Sequence, residues 1–423
     1  MSAVEVVEAH RDKSVPLAPV QGPVVGRVMD LGAAAARNYA VTVMVAMPFA
    51  VLIFPPAIMN NNPDIGFIWM VFGMAMLATI VSETLVLAFK EALGSQQPRS
   101  LVDFRASAGL TAETKKRYVN VAIGAIIIGA AANHITAQMG IGTIEAQAGV
   151  SEASGGPVAA VLTMLRPYDL IGAALLIWGY RLGGSSGKKF LFWLLTATVL
   201  RFLYVLQLGI TVQFWRYMSV VLLLLVFCKL IKLRWLLGLA LVVAIAWPVL
   251  YEYRNESRAE RGVDVVDEMD SSERLRYDLQ VTRAVGIEPG QDIGQIPAWE
   301  VPRYGLIPGP LDPGRGSVDT AVLINHELLG GADTSAYTFL PVATAYILQG
   351  EMGMFVLYAS YGLMGAWLID ARRVMSGAWV ISFAMFMYGF LGWFFVFPDS
   401  GIATLQAIVT AIPVMWLIRQ KTR

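Results

Sequence analysis

Ten stretches of about 20 mostly apolar residues run through this sequence, and each is long enough to cross a lipid bilayer as a helix. They fall at about 39–59, 66–89, 119–138, 158–181, 189–207, 213–231, 234–252, 338–369, 375–396 and 401–419. Charged residues make up only 15% of the chain, against about 25% in ordinary soluble domains. One soluble core cannot hide that much apolar surface, so lipid must be the main solvent. The expected fold is an all-α polytopic membrane protein with about ten transmembrane helices and one large extracytoplasmic loop. Four regions follow: a cytoplasmic N-terminal tail at 1–38, seven helices within 39–252, the loop at 253–337, and three helices with a short cytoplasmic tail within 338–423.

Two stretches divide less simply. Residues 338–369 are too long for one plain span and contain Gln349-Gly350-Glu351-Met352-Gly353, so their first turns suit a separate helix near the outer face. Arg201 and Arg216 interrupt the 189–231 region.

Orientation follows from the lysines. With both termini inside, Lys13, Lys90, Lys115, Lys116, Lys188, Lys189, Lys229, Lys232 and Lys421 are all cytoplasmic, and these are all the lysines in the chain. The opposite orientation puts every one of them outside. The long loop carries arginines and no lysine, which is unusual enough to ask what the arginines do. The expected location is the bacterial cytoplasmic (inner) membrane.

Within the loop, residues 254–292 are rich in charge and read as helical, with Ser271 or Ser272 placed to cap a helix through Glu273–Ala284. Residues 293–316 contain Pro297, Pro302, Pro308, Pro310 and Pro313 among glycines. Such a run predicts a fixed, extended, non-helical path. Residues 317–336 suit another short helix.

Four groups of residues could carry chemistry. The first is a set of arginines at or above the outer leaflet: Arg166, Arg216, Arg254, Arg258, Arg283, Arg303 and Arg315. A guanidinium stays charged and offers a planar fork of donors, which suits bidentate binding of phosphate. The plain alternative is snorkelling to headgroups or pairing with loop acids, and for Arg254 and Arg258, set among acids, it is the better reading. The second is Val301-Pro302-Arg303-Tyr304-Gly305, a rigid track that can hold one arginine in place or simply pack on the spans. The third is Asn325-His326-Glu327, where a histidine that titrates near neutrality stands beside an acid, either of which can take a proton from a hydroxyl. The fourth is Glu351, an ionisable group in or near a span. His134 and the lone Cys228 read as structural. There is no Walker loop, no HExxH and no His/Cys cluster with metal spacing, so no cofactor or metal is expected. A formal net charge of +1 gives no bulk attraction for nucleic acid.

The layout resembles the Wzy and O-antigen ligase superfamily of bacterial glycan polymerases. About ten spans lead to a late, long outer loop. A span with Arg216 near its start follows Gly209. The loop then runs through Ile296-Pro297, Val301-Pro302-Arg303-Tyr304-Gly305 and Pro308-Gly309-Pro310 to Asp333-Thr334-Ser335-Ala336-Tyr337 and Gly350-Glu351-Met352-Gly353. The basic residue such polymerases often carry soon after Pro-Arg is absent, and Pro308-Gly309-Pro310 stands there instead.

The resemblance implies a metal-independent glycosyltransferase. It would polymerise oligosaccharide repeat units linked to undecaprenyl diphosphate into a surface polysaccharide on the extracytoplasmic face. Arg166, Arg216 and Arg303, with Arg283 and Arg315, would hold the diphosphate. His326 or Glu327 would take the proton, and Glu351 is a further catalytic candidate. A chain-length regulator and a flippase would be partners. The rival readings are an O-antigen ligase, which shares the layout and differs in acceptor, and a non-catalytic glycan transporter, which predicts polar residues spread through the mid-membrane.

Overall fold

The computed structural model describes residues 39–92, 110–147, 155–210, 212–228, 230–231, 249, 252–262, 276–308, 311–312, 320–331, 337, 339–368, 377–389 and 397–418. Among them there are helices, turns and no strand. Seven helical stretches are long and apolar enough to cross a membrane, and two shorter apolar helices accompany them. The chain is therefore a helical, membrane-embedded protein.

Helix α1 starts at Ala40–Pro48, widens into a π turn at Phe49–Ile53 and continues as Phe54–Met59. The widening has a local cause. Pro55 and Pro56 have no N–H to give back to the preceding turn, and the Phe54 N–H reaches the Phe49 carbonyl instead. Tyr39 offers no side-chain cap to this helix. The buried carboxylate of Glu83, from the next helix, accepts from the Val41 and Thr42 N–H groups at 3.0 and 2.9 Å. It thereby satisfies two of the orphan donors of a helix N-terminus, where negative charge is favoured.

Helices α2 (Ile65–Ala92), α3 (Ala112–Gln138), α4 (Pro157–Leu165), α5 (Tyr168–Arg181), α6 (Gly187–Leu208) and α7 (Val212–Phe227) follow. The expected span at 158–181 is thus two helices broken at Arg166-Pro167, since a proline cannot donate to the turn before it. α3 and α5 touch backbone to backbone. A Cβ on Gly129 would strike the Asp169 amide, and one on Gly172 would strike the Ala122 carbonyl. Small residues at such crossings are how membrane helices approach closely. The expected span at 234–252 lies almost wholly outside the described residues.

In the loop region, residues 252–260 are helical. Arg258 donates both Nε and Nη2 to the Gly209 carbonyl, and Arg261 donates to the carbonyls of Gln207 and Leu206. Two cations therefore sit on the C-terminus of α6, where carbonyls are unpaired and positive charge is favoured. Helix α8 (Tyr277–Thr282) and helix α9 (Val301–Leu306) come next. α9 departs from the extended path expected of this proline-rich stretch. Pro302 occupies the first turn of the helix, where a missing N–H costs nothing. The proposed Ser271 or Ser272 cap lies outside the described residues. The short helix expected within 317–336 is present as Thr320–Leu323 and a π turn at Ile324–Leu328.

Helices α10 (Leu340–Leu368), α11 (Gly377–Tyr388) and α12 (Asp399–Ile418) complete the bundle. α10 is bent at Gly350, whose φ of 69° and ψ of 178° are open only to glycine. The bend leaves the Ile347 carbonyl without its helical donor. The amides of Gly290 and Gln291 in the loop fill that place at 2.7 and 2.8 Å. The expected separate first turns of this stretch are thus the segment above the bend.

Contacts fix the two ends of the bundle. At one end Lys90 donates to the Ala366 carbonyl, Gly184 lies on Lys115, and Gly377 lies between Tyr118 and Ile418. Lys116, Lys188 and Lys189 belong to the same helix starts. At the opposite end stand Arg166, Arg201, Arg216 and Tyr388.

Candidate functional site

The break at Arg166-Pro167 restarts the helix at α5 with Asp169 in its first turn. Asp169 Oδ1 accepts from the Leu170 amide at 2.7 Å. Its Oδ2 accepts from Arg201 Nη1 and Asn133 Nδ2, both at 3.1 Å. Asp169 and Arg201 are almost fully buried, so this is an ion pair inside the bundle, two-thirds of the way along α6.

Arg201 is also the centre of a wider network. Its guanidinium lies 5.1 Å from the ring centre of Tyr204 and 5.7 Å from that of Tyr217. Its Nη2 donates to the Tyr388 hydroxyl at 3.4 Å. That hydroxyl in turn donates to Gln213 Oε1 at 2.9 Å. Arg216, also buried, lies 4.3 Å over the Tyr388 ring and donates to the Tyr388 carbonyl at 2.8 Å. Arg166 donates to the Tyr204 hydroxyl and lies 5.6 Å from the same ring. Six helices, α3, α4, α5, α6, α7 and α11, thus meet around three guanidiniums and three tyrosines.

Asp169 pairs directly with Arg201. Asp399, at the start of α12, attracts Arg216. Arg201 and Arg216 are buried and Arg166 is partly so. Three guanidiniums thus share one end of the bundle, where positive charge needs acceptors to offset its lost hydration.

His134 belongs to the rim of the same group. Its Nδ1 is 2.7 Å from Gln207 Oε1, and its ring meets Tyr204 edge-on at 6.2 Å. With the amide oxygen accepting, Nδ1 carries the hydrogen and Nε2 keeps its lone pair. Nε2 is buried without a partner.

Of the residues singled out in the sequence, Arg166 and Arg216 are brought together here. The others stand elsewhere, and no described contact joins them to the cluster. Arg303, on α9, is held by Asp312 through Nε and Nη2 at 2.9 and 3.0 Å and approaches Glu300 at 3.6 Å. Those acids raise the pKa of its guanidinium further, so its charge is already answered within the loop. Arg283 is exposed and lies 5.3 Å over the Tyr337 ring. Arg254 donates to the neighbouring Asn255 side chain. His326 Nδ1 and Glu327 Oε1 are 2.9 Å apart and half exposed. Glu351 is exposed just past the bend of α10. Arg315 lies outside the described residues. Sequence reading passed over Asp169, Tyr204, Gln213 and Tyr388 and took Arg201 only as a break in an apolar run. A signal for two of them was present, since Arg201 and Asp169 are ionisable residues in different spans, and such residues need each other.

The groups of His, Cys, Asp and Glu needed to hold a metal ion do not occur among the described residues. Comparison of the chain with protein-family models, with curated proteins and with solved structures gave no match.

Proposed function

We propose that this chain is a membrane glycosyltransferase that polymerises undecaprenyl-diphosphate-linked oligosaccharide repeat units on the extracytoplasmic face. The observation that carries the reading is the gathering of three guanidiniums, those of Arg166, Arg201 and Arg216, among tyrosine rings at the end of the bundle opposite the described lysines. A lipid diphosphate suits such a place, since it carries negative charge and a hydrocarbon anchor already in the bilayer.

The topology belongs to the same proposal. It keeps the arrangement expected from the sequence, with ten crossings, both termini inside by the lysine rule and the loop outside.

In the reaction, a hydroxyl oxygen of one lipid-linked unit attacks the anomeric carbon of the glycan on another. A carbon–oxygen bond forms there as the bond to the diphosphate oxygen breaks, and the electron pair leaves with undecaprenyl diphosphate. Arg166, Arg201 and Arg216 stabilise the charge that grows on the leaving group. The hydroxyl proton goes to His326, whose Nδ1 is oriented by Glu327 and whose Nε2 is then the basic nitrogen.

Deleting the gene and separating lipid-linked from surface glycans by size tests the reading. Loss of long polymer with single units still displayed supports it. Long polymer stranded on the lipid carrier indicates a ligase, and units accumulating on the inner leaflet indicate a transporter. In the purified protein, Arg216→Ala should lower polymerisation at least about 100-fold, the scale of losing one charge-stabilising donor. Full activity in both Arg166→Ala and Arg216→Ala sinks the assignment. Loss in His134→Ala with full activity in His326→Ala moves the proton acceptor to the cluster.

A further inference from the structure

The proline-rich stretch 297–308 lies against the first turns of a membrane-spanning helix. Gly305 of α9 faces Leu405 and the Ile402 carbonyl of α12, Val301 faces Gly401, and Gln406 Nε2 donates to the Tyr304 carbonyl at 3.2 Å. The described part of α12 begins at Asp399 and has 20 residues, about 30 Å of helix, the thickness of the hydrocarbon core. Leu405 is six residues along it, about 9 Å into the leaflet at 1.5 Å per residue if the span starts at Asp399.

The face of the stretch turned away from α12 carries large apolar side chains beside the half-exposed Arg303 and Glu300. Trp299 is 79% exposed, Leu311 55%, Leu306 49% and Ile307 41%. Through Ile408, Ile412 and Trp416 this surface continues the exposed apolar face of α12 itself.

Part of the backbone is satisfied within the stretch. Each N–H left unsatisfied in hydrocarbon costs several kcal/mol. Five prolines in 297–313 have no N–H to satisfy. The amides of Glu300, Ile307 and Leu311 donate within the stretch, to the carbonyls of Pro297, Arg303 and Pro308. Its one described arginine is neutralised by Asp312 and Glu300, as a charge near the interface should be.

We infer that 297–308, together with Leu311, is a re-entrant element seated in the leaflet at the arginine end, with Trp299, Leu306, Ile307 and Leu311 in contact with lipid acyl chains. The assignment rests on the membrane character of α12 and not on the glycosyl-transfer chemistry. It gives Arg303 a different task, that of holding the element at the interface through Asp312.

Nitroxide labels test it in the full-length protein, with Cys228→Ser as background. Single cysteines go at Leu306 and Leu311, with Leu195 on the exposed apolar face of α6 as the lipid reference and Glu288 in the loop as the water reference. Reconstitution is into phosphatidylcholine–phosphatidylglycerol vesicles. Relaxation is read with oxygen, which concentrates in lipid, and with a nickel chelate, which stays in water. The ratio of oxygen to nickel effect at 306 and 311 should match 195 and exceed 288 several-fold. A ratio like that of 288 at both positions overturns the proposal in favour of a water-exposed loop. Low accessibility to both reagents overturns it in favour of a protein partner or a second copy covering the face.

Discussion

Asp169 takes hydrogen bonds from Asn133, Arg201 and the Leu170 amide while nearly excluded from solvent. Removing it would leave Arg201 buried with tyrosine faces and one hydroxyl as its remaining company. Breaking a buried pair from one side costs about 3–5 kcal/mol, because the other charge stays behind. Asp169→Ala should therefore lower the unfolding free energy in detergent by about that amount. The double variant Asp169→Ala with Arg201→Met should recover part of it, and a single variant that unfolds like the parent would show the pair to be idle. The same residue explains why part of the site was hard to read in advance. Arg201 was visible as a break in an apolar run, but what it pairs with is 32 positions away in another helix. Nothing local in Leu165-Arg166-Pro167-Tyr168-Asp169 says that Asp169 points inward.

At the scale of elements, helices that span lipid are legible because length and apolarity are properties of the stretch itself. The short pieces of the loop are less so, because partners elsewhere decide them. α9 is helical where prolines and glycines suggested an extended path, and the reason is α12, on whose surface Val301 and Gly305 lie one turn apart. α8 is tied down in another way. Asp278 is buried, takes both Arg276 donors at 2.8 Å and accepts from Asn62 in the α1–α2 turn at 2.9 Å. Burial alone would raise its pKa, but the hydrogen bonds from Arg276 and Asn62 outweigh that and hold it below the ordinary carboxylate value of 3.8. A lowered native pKa makes its contribution complete above that value and lost as pH falls through the native one. Amide exchange in Leu279–Thr282, corrected for intrinsic rates, should therefore quicken below about pH 4 in the parent. In Asp278→Asn it should be fast already at neutral pH and change little in acid.

On the scale of the whole molecule, the described lysines mark one end of the bundle, where a hydrated ammonium is at ease when water is close. The arginines laid on tyrosine rings, Arg166, Arg201 and Arg216, mark the other. The clustering of lysines was legible from the chain, since every lysine falls between the same ends of the apolar runs. One contact that joins the loop to this frame was not, because it depends on a bent residue. Ile347 can give its carbonyl to the loop only while α10 is bent at Gly350. Alanine at that φ and ψ costs about 1–3 kcal/mol. Gly350→Ala should therefore push α10 toward a straight helix and speed hydrogen exchange at the Gly290 and Gln291 amides, with unchanged exchange there as the result against it. With both lone pairs taken by the loop amides, this carbonyl has none left for a helical donor, so posture of the loop and shape of the helix are coupled. By reciprocity, whatever ligand grips the loop harder in one state must bias the helix by an equal free energy, and a molecule held by the loop can thus be felt in a spanning helix.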